Sequence, residues 1–384
     1  MTSVMHMTEP PTRPGASVAR GLERAETSGA RAWGLLGEVV VPLGAVLAAF
    51  ALFSILLLWI DRSPLQFVEL IWKGGFGTSF SIRNSLQRMP PLILCALAVA
   101  VPAQLGLVVI GGEGTLVLAG LAAAAIAVPF AGGAMPALVV VPLMVGAAML
   151  TAAVWFGIVA QARNERQVNE VISSLLLSYV GIAIMNFFVE GALRDPNQPS
   201  KSSTVPVAAS YLVGEIPGVG VHWGLAAALL AAVLLHLLVS RTTFGFAMRV
   251  VGGNPRAARS QGLPVERLVM TGMLIGGACA GLAGYFEVAA VQGRANASLA
   301  AGYGFTGILV SFMARHQPLG IVPVALLFAA LSASAGLVQR RMDLPDGVML
   351  LLQSTIFIAI LVSQALHGSR LGSRMIVWLL RRRA

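Results

Sequence analysis

Apolar stretches long enough to cross a lipid bilayer recur along most of this 384-residue chain, and that recurrence limits its fold more than any motif does. A hydrocarbon core takes about 20 apolar residues per helix, and inside it every backbone N–H and C=O must find a partner within the protein. The expected fold class is therefore all-α, a polytopic membrane helical bundle. Charged residues make up only 11% of the chain, against roughly 25% in an ordinary soluble domain; a soluble globular fold is excluded. Ten membrane segments are expected, at 35–60, 89–108, 114–130, 136–160, 168–190, 222–240, 266–290, 302–314, 318–339 and 347–366. The eighth is too short to span alone.

The formal net charge of +10 need not mean nucleic acid, because basic residues in a membrane protein first set its orientation. With the N-terminus in the cytosol, 17 of the 26 Lys and Arg fall on the inner side. That division obeys the positive-inside rule and leaves membrane lipid headgroups, rather than nucleic acid, as the anionic partner. A cytosolic polar tail is expected at 1–34, a transmembrane domain at 35–366 and a basic cytosolic tail at 367–384. The first apolar run, Leu35 to Ile60, is too long for a signal-peptide core and reads as a retained span. The largest external loop, Gly191 to Val221, is polar and Pro-rich.

Catalytic constellations are missing. Cys95 and Cys279 lie in apolar segments without metal-ligand spacing, so buried inert thiols are expected and no metal site. The only two lysines, Lys73 and Lys201, stand outside any GxxxxGK[ST] context, so the chain carries no phosphate-cradling P-loop. HExxH and GxSxG patterns are absent as well.

Glycines interrupt the membrane helices in two places: Gly111, Gly112 and Gly114, and Gly302, Gly304 and Gly307. Each cluster follows a long segment and precedes a short one. If segments two to five and seven to ten are repeats, they are inverted, and interrupted helices at matching places point to a translocation path. The plainer reading is close packing at helix crossings. Glu113 sits within the first cluster and Glu287 near the end of the seventh segment. An acid at membrane depth is a functional candidate, while for Glu113 a cap on the first turn of its own helix is the structural alternative. His236 has no ionisable partner at helical spacing and reads as a packed side chain.

The cytosolic loop 241–265 carries a short helix specified at both ends. Asn254 is an N-cap, Pro255 a first helical residue, and Gly262 a stop. The helix expected at 255–261 is too short to stand alone. Small Ala257 and Ala258 permit close approach, and Arg256 and Arg259 reach outward, so the element reads as a docking helix.

Here the chain resembles the permease subunits of ATP-binding-cassette importers, in the simple-sugar and nucleoside branch related to the ribose permease. The resemblance rests on GGNPRAARSQG (Gly252 to Gly262), NEVISSLLLSYV (Asn169 to Val180), IGGEG (Ile110 to Gly114), GACAGLAGYFEV (Gly277 to Val288) and GYGFTGILVSFMARHQPLG (Gly302 to Gly320). Order and spacing match from about residue 83 to 363. The family usually reads NIGxEGQ where this chain has Val109 and Thr115, GFDGI where it has Thr306, and Asn where it has Ser178.

The resemblance implies a solute path for nucleosides or simple sugars in a bacterial inner membrane. It implies a coupling helix at 255–261, with Arg249, Gly252, Asn254, Pro255, Arg256, Ala257, Ala258, Arg259 and Gly262 facing the ATPase. Candidate path residues are Glu113, Thr115, Asn169, Ser173, Ser178, Tyr303, Thr306 and Ser311. The implied partners are a separate ABC ATPase subunit, a second permease subunit and an external substrate-binding protein or lipoprotein. ATP and Mg would bind the ATPase, with no cofactor on this chain. The rival readings are an ion-coupled secondary carrier, for which only Glu113 and Glu287 could serve as coupling carboxylates, and an integral-membrane transferase.

Overall fold

The computed structural model describes residues 44–367 apart from 131, 134, 199 and 346. The tail expected at 1–34 lies outside them, as does all but the first residue of the tail expected at 367–384. By compactness the chain divides into a large unit, residues 54–357, and a small unit formed by its two ends, 1–53 and 358–384. The described parts of the small unit are helical.

Thirteen α-helices are described: α1 Gly44–Trp59, then α2 Pro64–Gly75, α3 Ser79–Ala103, α4 Gly112–Ala127, α5 Ala137–Arg166, α6 Glu170–Glu190, α7 Gly224–Arg241, α8 Thr243–Gly253, α9 Pro255–Ser260, α10 Val265–Phe286, α11 Tyr303–Met313, α12 Pro318–Met342 and α13 Gly347–His367. Among the described residues β-structure is limited to isolated bridges. Among the described residues seven helices are long and apolar enough to cross a membrane by themselves. Every expected segment coincides with a helix over the described residues, residues 35–43 of the first lying outside them; the second ends at Ala103 rather than 108, the fourth runs on to Arg166 rather than 160, and two helices are added. The second segment begins at Ser79 rather than 89, because the polar turns SFSIRNSLQR are recruited into α3 behind the N-cap Thr78, whose Oγ1 accepts from Ser81 N. The additions, α2 and α8, begin at the caps Ser63 and Thr242.

Burial sorts these helices into an inner and an outer set. In the spanning windows of α3, α4 and α10, 78%, 61% and 67% of residues are buried, against 22% in α5 and in α6. The outer helices turn Leu143, Leu150, Ile172, Leu176 and Leu230 outward, an apolar surface that suits lipid rather than water.

The inner set packs backbone to backbone. Bundles in lipid lack a hydrophobic force between helices and rely on close contact through small residues. On α10, Gly276, Gly277, Gly281 and Gly284 face three different neighbours. A Cβ at Gly276 would lie 2.7 Å from the Ala98 carbonyl oxygen of α3, one at Gly281 2.5 Å from the Ala148 carbonyl oxygen of α5, and one at Gly284 2.3 Å from the Leu116 carbonyl oxygen of α4.

The same contacts give directions. Gly276 of α10 meets Ala98 of α3 and Gly272 meets Leu105, so α3 and α10 are antiparallel. α4 runs with α10, since Gly284 meets Leu116 and Gly120 meets Val288. α11 runs with α3: Gly307 lies on Cys95, and the Gln104 amide donates to the His316 carbonyl at 3.1 Å. The two short helices α4 and α11 therefore run in opposite senses, and their first turns meet. This is the inverted arrangement of interrupted helices that the glycine clusters suggest.

The stretch 191–223 is held by backbone bonds to the residues that follow α10. Thr204 N donates to Ala295 O, Val207 N to Gly293 O and Val213 N to Ala289 O, all at 2.8–2.9 Å. Gly281→Leu should be strongly destabilising, since a backbone carbonyl blocks the added side chain; overpacking that can relax already costs about 1–3 kcal/mol. Gly146→Ala on α5, which meets nothing within 4 Å, should leave stability unchanged or slightly raised. Thermal unfolding in detergent reads both, and equal midpoints would contradict the packing described.

Candidate functional site

The first turns of α4 and α11 bring unpaired backbone donors to one apolar place. Each helix start leaves N–H groups without intrahelical partners and carries about half a positive charge. Glu113, in the first turn of α4, is 1% exposed. Its Oε1 accepts from Gly302 N at 2.7 Å and its Oε2 from Gly304 N at 2.6 Å. The carboxylate thus caps α11 rather than its own helix, which corrects the expectation for Glu113. Charge-assisted bonds of this length are the strong class, and here they join residues almost 200 apart in sequence.

The start of α4 is completed from α6. Ser178 Oγ accepts from Gly114 N at 2.7 Å and Ser174 Oγ from Ile110 N at 3.1 Å. The glycines let these groups approach: a Cβ at Gly114 would lie 2.0 Å from the Ser178 carbonyl oxygen, and one at Gly304 2.1 Å from Glu113 N. Thr115, fully buried, donates its hydroxyl to Gly111 O at 2.7 Å.

Beside this junction a cavity of about 440 Å³ is lined by Glu113, Ile182, Phe305, Thr306, Leu309 and Gln353. The structure therefore brings together Glu113, Thr115, Ser178 and Thr306. The other candidates lie elsewhere. Asn169 is exposed and caps α6, accepting from Val171 N and Ile172 N at 2.9 and 3.3 Å. Half-buried Ser173 bonds back to Glu170 O. Ser311, at the far end of α11, pairs with His316 Nδ1 at 2.9 Å.

Tyr303 lines a second, polar cavity of about 290 Å³, together with Arg88, Glu287 and His222. The His222 imidazole is held on both sides of its ring. Its Nδ1 accepts from Gly224 N, which leaves Nε2–H to donate to Gln87 O, both at 3.2 Å. Ser174, Arg88 and Asn84 were not among the expected site residues. Ser174 carried a signal, since it stands one helical turn before Ser178.

At the opposite end of the bundle lies α9. Asn254 Oδ1 accepts from Arg256 N and Ala257 N at 3.0 and 3.1 Å, Pro255 is the first helical residue, and Gly262 has φ +79°. Ala258 is buried, whereas Asn254, Pro255, Arg256 and Ala257 are exposed. Arg259 is bound to Glu266 of its own chain at 2.7 Å, an exposed pair of little energetic weight. Arg249 donates to Val239 O, fastening α8 to the end of α7. Gly252 touches the link between α3 and α4, where a Cβ would lie 2.3 Å from Gln104 O and 3.1 Å from Gly106 N.

Similarity to known proteins bears on what this arrangement does. The family described as "Branched-chain amino acid transport system / permease component" matches residues 81–362. The chain is 33% identical over 341 residues to the glucose ABC transporter permease protein of Haloferax volcanii, covering 86% of this chain and 89% of that protein. It is 30% identical over 342 residues to the guanosine ABC transporter permease protein of Bacillus subtilis, covering 86% and 95%. A nucleoside ABC transporter permease protein of Lactococcus lactis is 29% identical over 307 residues, 78% of this chain and 84% of that protein.

Ser178→Ala should leave Gly114 N buried without a partner and cost roughly 1–3 kcal/mol. Glu113→Ala orphans two donors and should cost more. Thermal midpoints of the detergent-solubilised protein give the order, which fails if Glu113→Ala is the milder change.

Proposed function

Since the chain belongs to the permease-component family of branched-chain amino acid transport systems, we propose that it forms the solute path of an importer for nucleosides or simple sugars. It is an ABC transporter permease, a transport subunit by family. The glucose and guanosine permeases to which it is similar support the solute class. Glucose and the ribose of guanosine share vicinal hydroxyl groups on a ring, so one polar site can serve either.

In this reading α9 lies on the cytosolic side and docks on a separate ATPase subunit, which binds ATP and Mg. A second permease subunit, identical or homologous, completes the path. An external binding protein delivers solute to the face carrying 191–223. The N- and C-termini are cytosolic and the membrane is a bacterial inner membrane, in keeping with 17 of 26 basic residues on that side.

The observation that carries the mechanism is the contact of Gly252 with Gln104 and Gly106. Two residues beyond Gly252 comes the cap of α9; a few residues beyond Gly106 comes the Glu113 junction. An ATPase that moves α9 moves the link entering α4. Transport is then a shift between two packings, biased by the ATPase's preference for one of them. The exposed Arg256 is the side chain of α9 free to meet an acidic groove, because Arg259 is engaged with Glu266.

Arg256→Glu should abolish co-purification with the ATPase, while Gly252→Ala, whose added Cβ must displace the Gln104–Gly106 link, should lose ATP-driven uptake in the fraction that still assembles. Both are measured in the complete transporter reconstituted in liposomes, with labelled guanosine and glucose as probes. Unchanged assembly of the first and unchanged uptake by the second would sink the coupling route. Failure of the parent transporter to carry either probe would sink the solute assignment.

A further inference from the structure

The polar cavity beside Tyr303 contains a buried group that the junction mechanism leaves unused. Glu287 is 1% exposed, and its Oε2 has no hydrogen-bond partner. Its Oε1 accepts from Gln292 Nε2 at 3.3 Å, a contact between residues five apart that the π-helical turn Glu287–Gln292 brings about. π-turns inside α-helices recur at functional sites. Arg88 faces the same cavity and forms no direct ion pair with Glu287. Instead its Nε donates to Asn84 Oδ1 at 3.4 Å, and it lines the cavity together with Tyr303. A carboxylate oxygen buried with no donor is expensive unless something outside the chain supplies one.

We infer that this cavity is a solute subsite for the vicinal hydroxyls of a furanose or pyranose ring, with Glu287 accepting from the hydroxyls and Arg88 donating to them. The assignment rests on the proposed nucleoside or sugar class and adds the atoms that read it. An acceptor and a donor lining one cavity without touching each other suit a neutral diol, each of whose hydroxyls can donate and accept. A cation would be opposed by Arg88 and an anion by Glu287. The volume of about 290 Å³ admits one sugar ring with water. Exposed Val291 and Ala301 form the mouth, on the end of the bundle away from α9. Solute would meet this subsite before the Glu113 junction.

The test uses the assembled transporter with Val291→Cys as a reporter at the mouth, since Cys95 and Cys279 are buried. The rate of modification by a charged thiol reagent is measured with guanosine, ribose and glucose, and with 2′,3′-dideoxyguanosine as the probe lacking the diol. Guanosine and the sugars should slow labelling, the dideoxy compound should not, and Glu287→Gln should weaken protection about ten-fold or more, as expected for one hydrogen bond to a charged group. Arg88→Gln is read in the same way should Glu287→Gln fail to assemble, co-purification of the ATPase being the control. Protection by neither sugar nor nucleoside, or equal protection by the dideoxy compound, overturns the subsite. Uptake of the same probes is measured alongside. Uptake without protection overturns the subsite alone, protection without uptake overturns the function reading alone, and the absence of both overturns the two together.

Discussion

A helix that begins inside an apolar medium needs partners for its first N–H groups, and this chain begins two of them at one place. Water cannot supply those partners there, and each unsatisfied group costs several kcal/mol. Glu113 bonds Gly302 and Gly304 at the start of α11, while Ser174 and Ser178 serve Ile110 and Gly114 at the start of α4. The rest follows from keeping those groups in reach. α6 must lie against α4, α11 must lie against the first turn of α4, and only glycine permits the distances at Gly114 and Gly304. One carboxylate also offsets two positive helix ends that would otherwise repel.

Around that junction α10 acts as the common wall. Its glycines put α3, α4 and α5 within backbone contact of one helix. Beyond Phe286 the helix widens into a π-turn and then ties the 204–213 stretch to itself. The wall therefore links the junction, the polar cavity and the loop face, while Gly252, just before α9, touches the link that leads into α4.

Much of this was legible in the residues. Apolar length placed the expected segments on helices over the described residues, the Asn254–Pro255 and Gly262 signals placed α9, and the two glycine clusters marked the interrupted helices. What stayed hidden is non-local. The residue type and depth of Glu113 announce a cap, yet nothing in the local sequence says that the helix capped begins near residue 302. Ser178 and Ser174 are alike in type, and only the packing of α6 on α4 assigns each its own N–H. Arg88 sits in the polar first turns of α3, which apolar length alone assigns to a loop, so its approach to the Glu287 cavity was invisible. Ser63 with Pro64 is a start signal of the same kind as Asn254 with Pro255, and α2 was readable from it.

The opposed directions of α4 and α11 carry one more consequence. Joined at their first turns and running in opposite senses from there, they resemble a see-saw with Glu113 at the fulcrum. Any tilt of the pair about that point swings the far end of α4 and the far end of α11 to opposite sides.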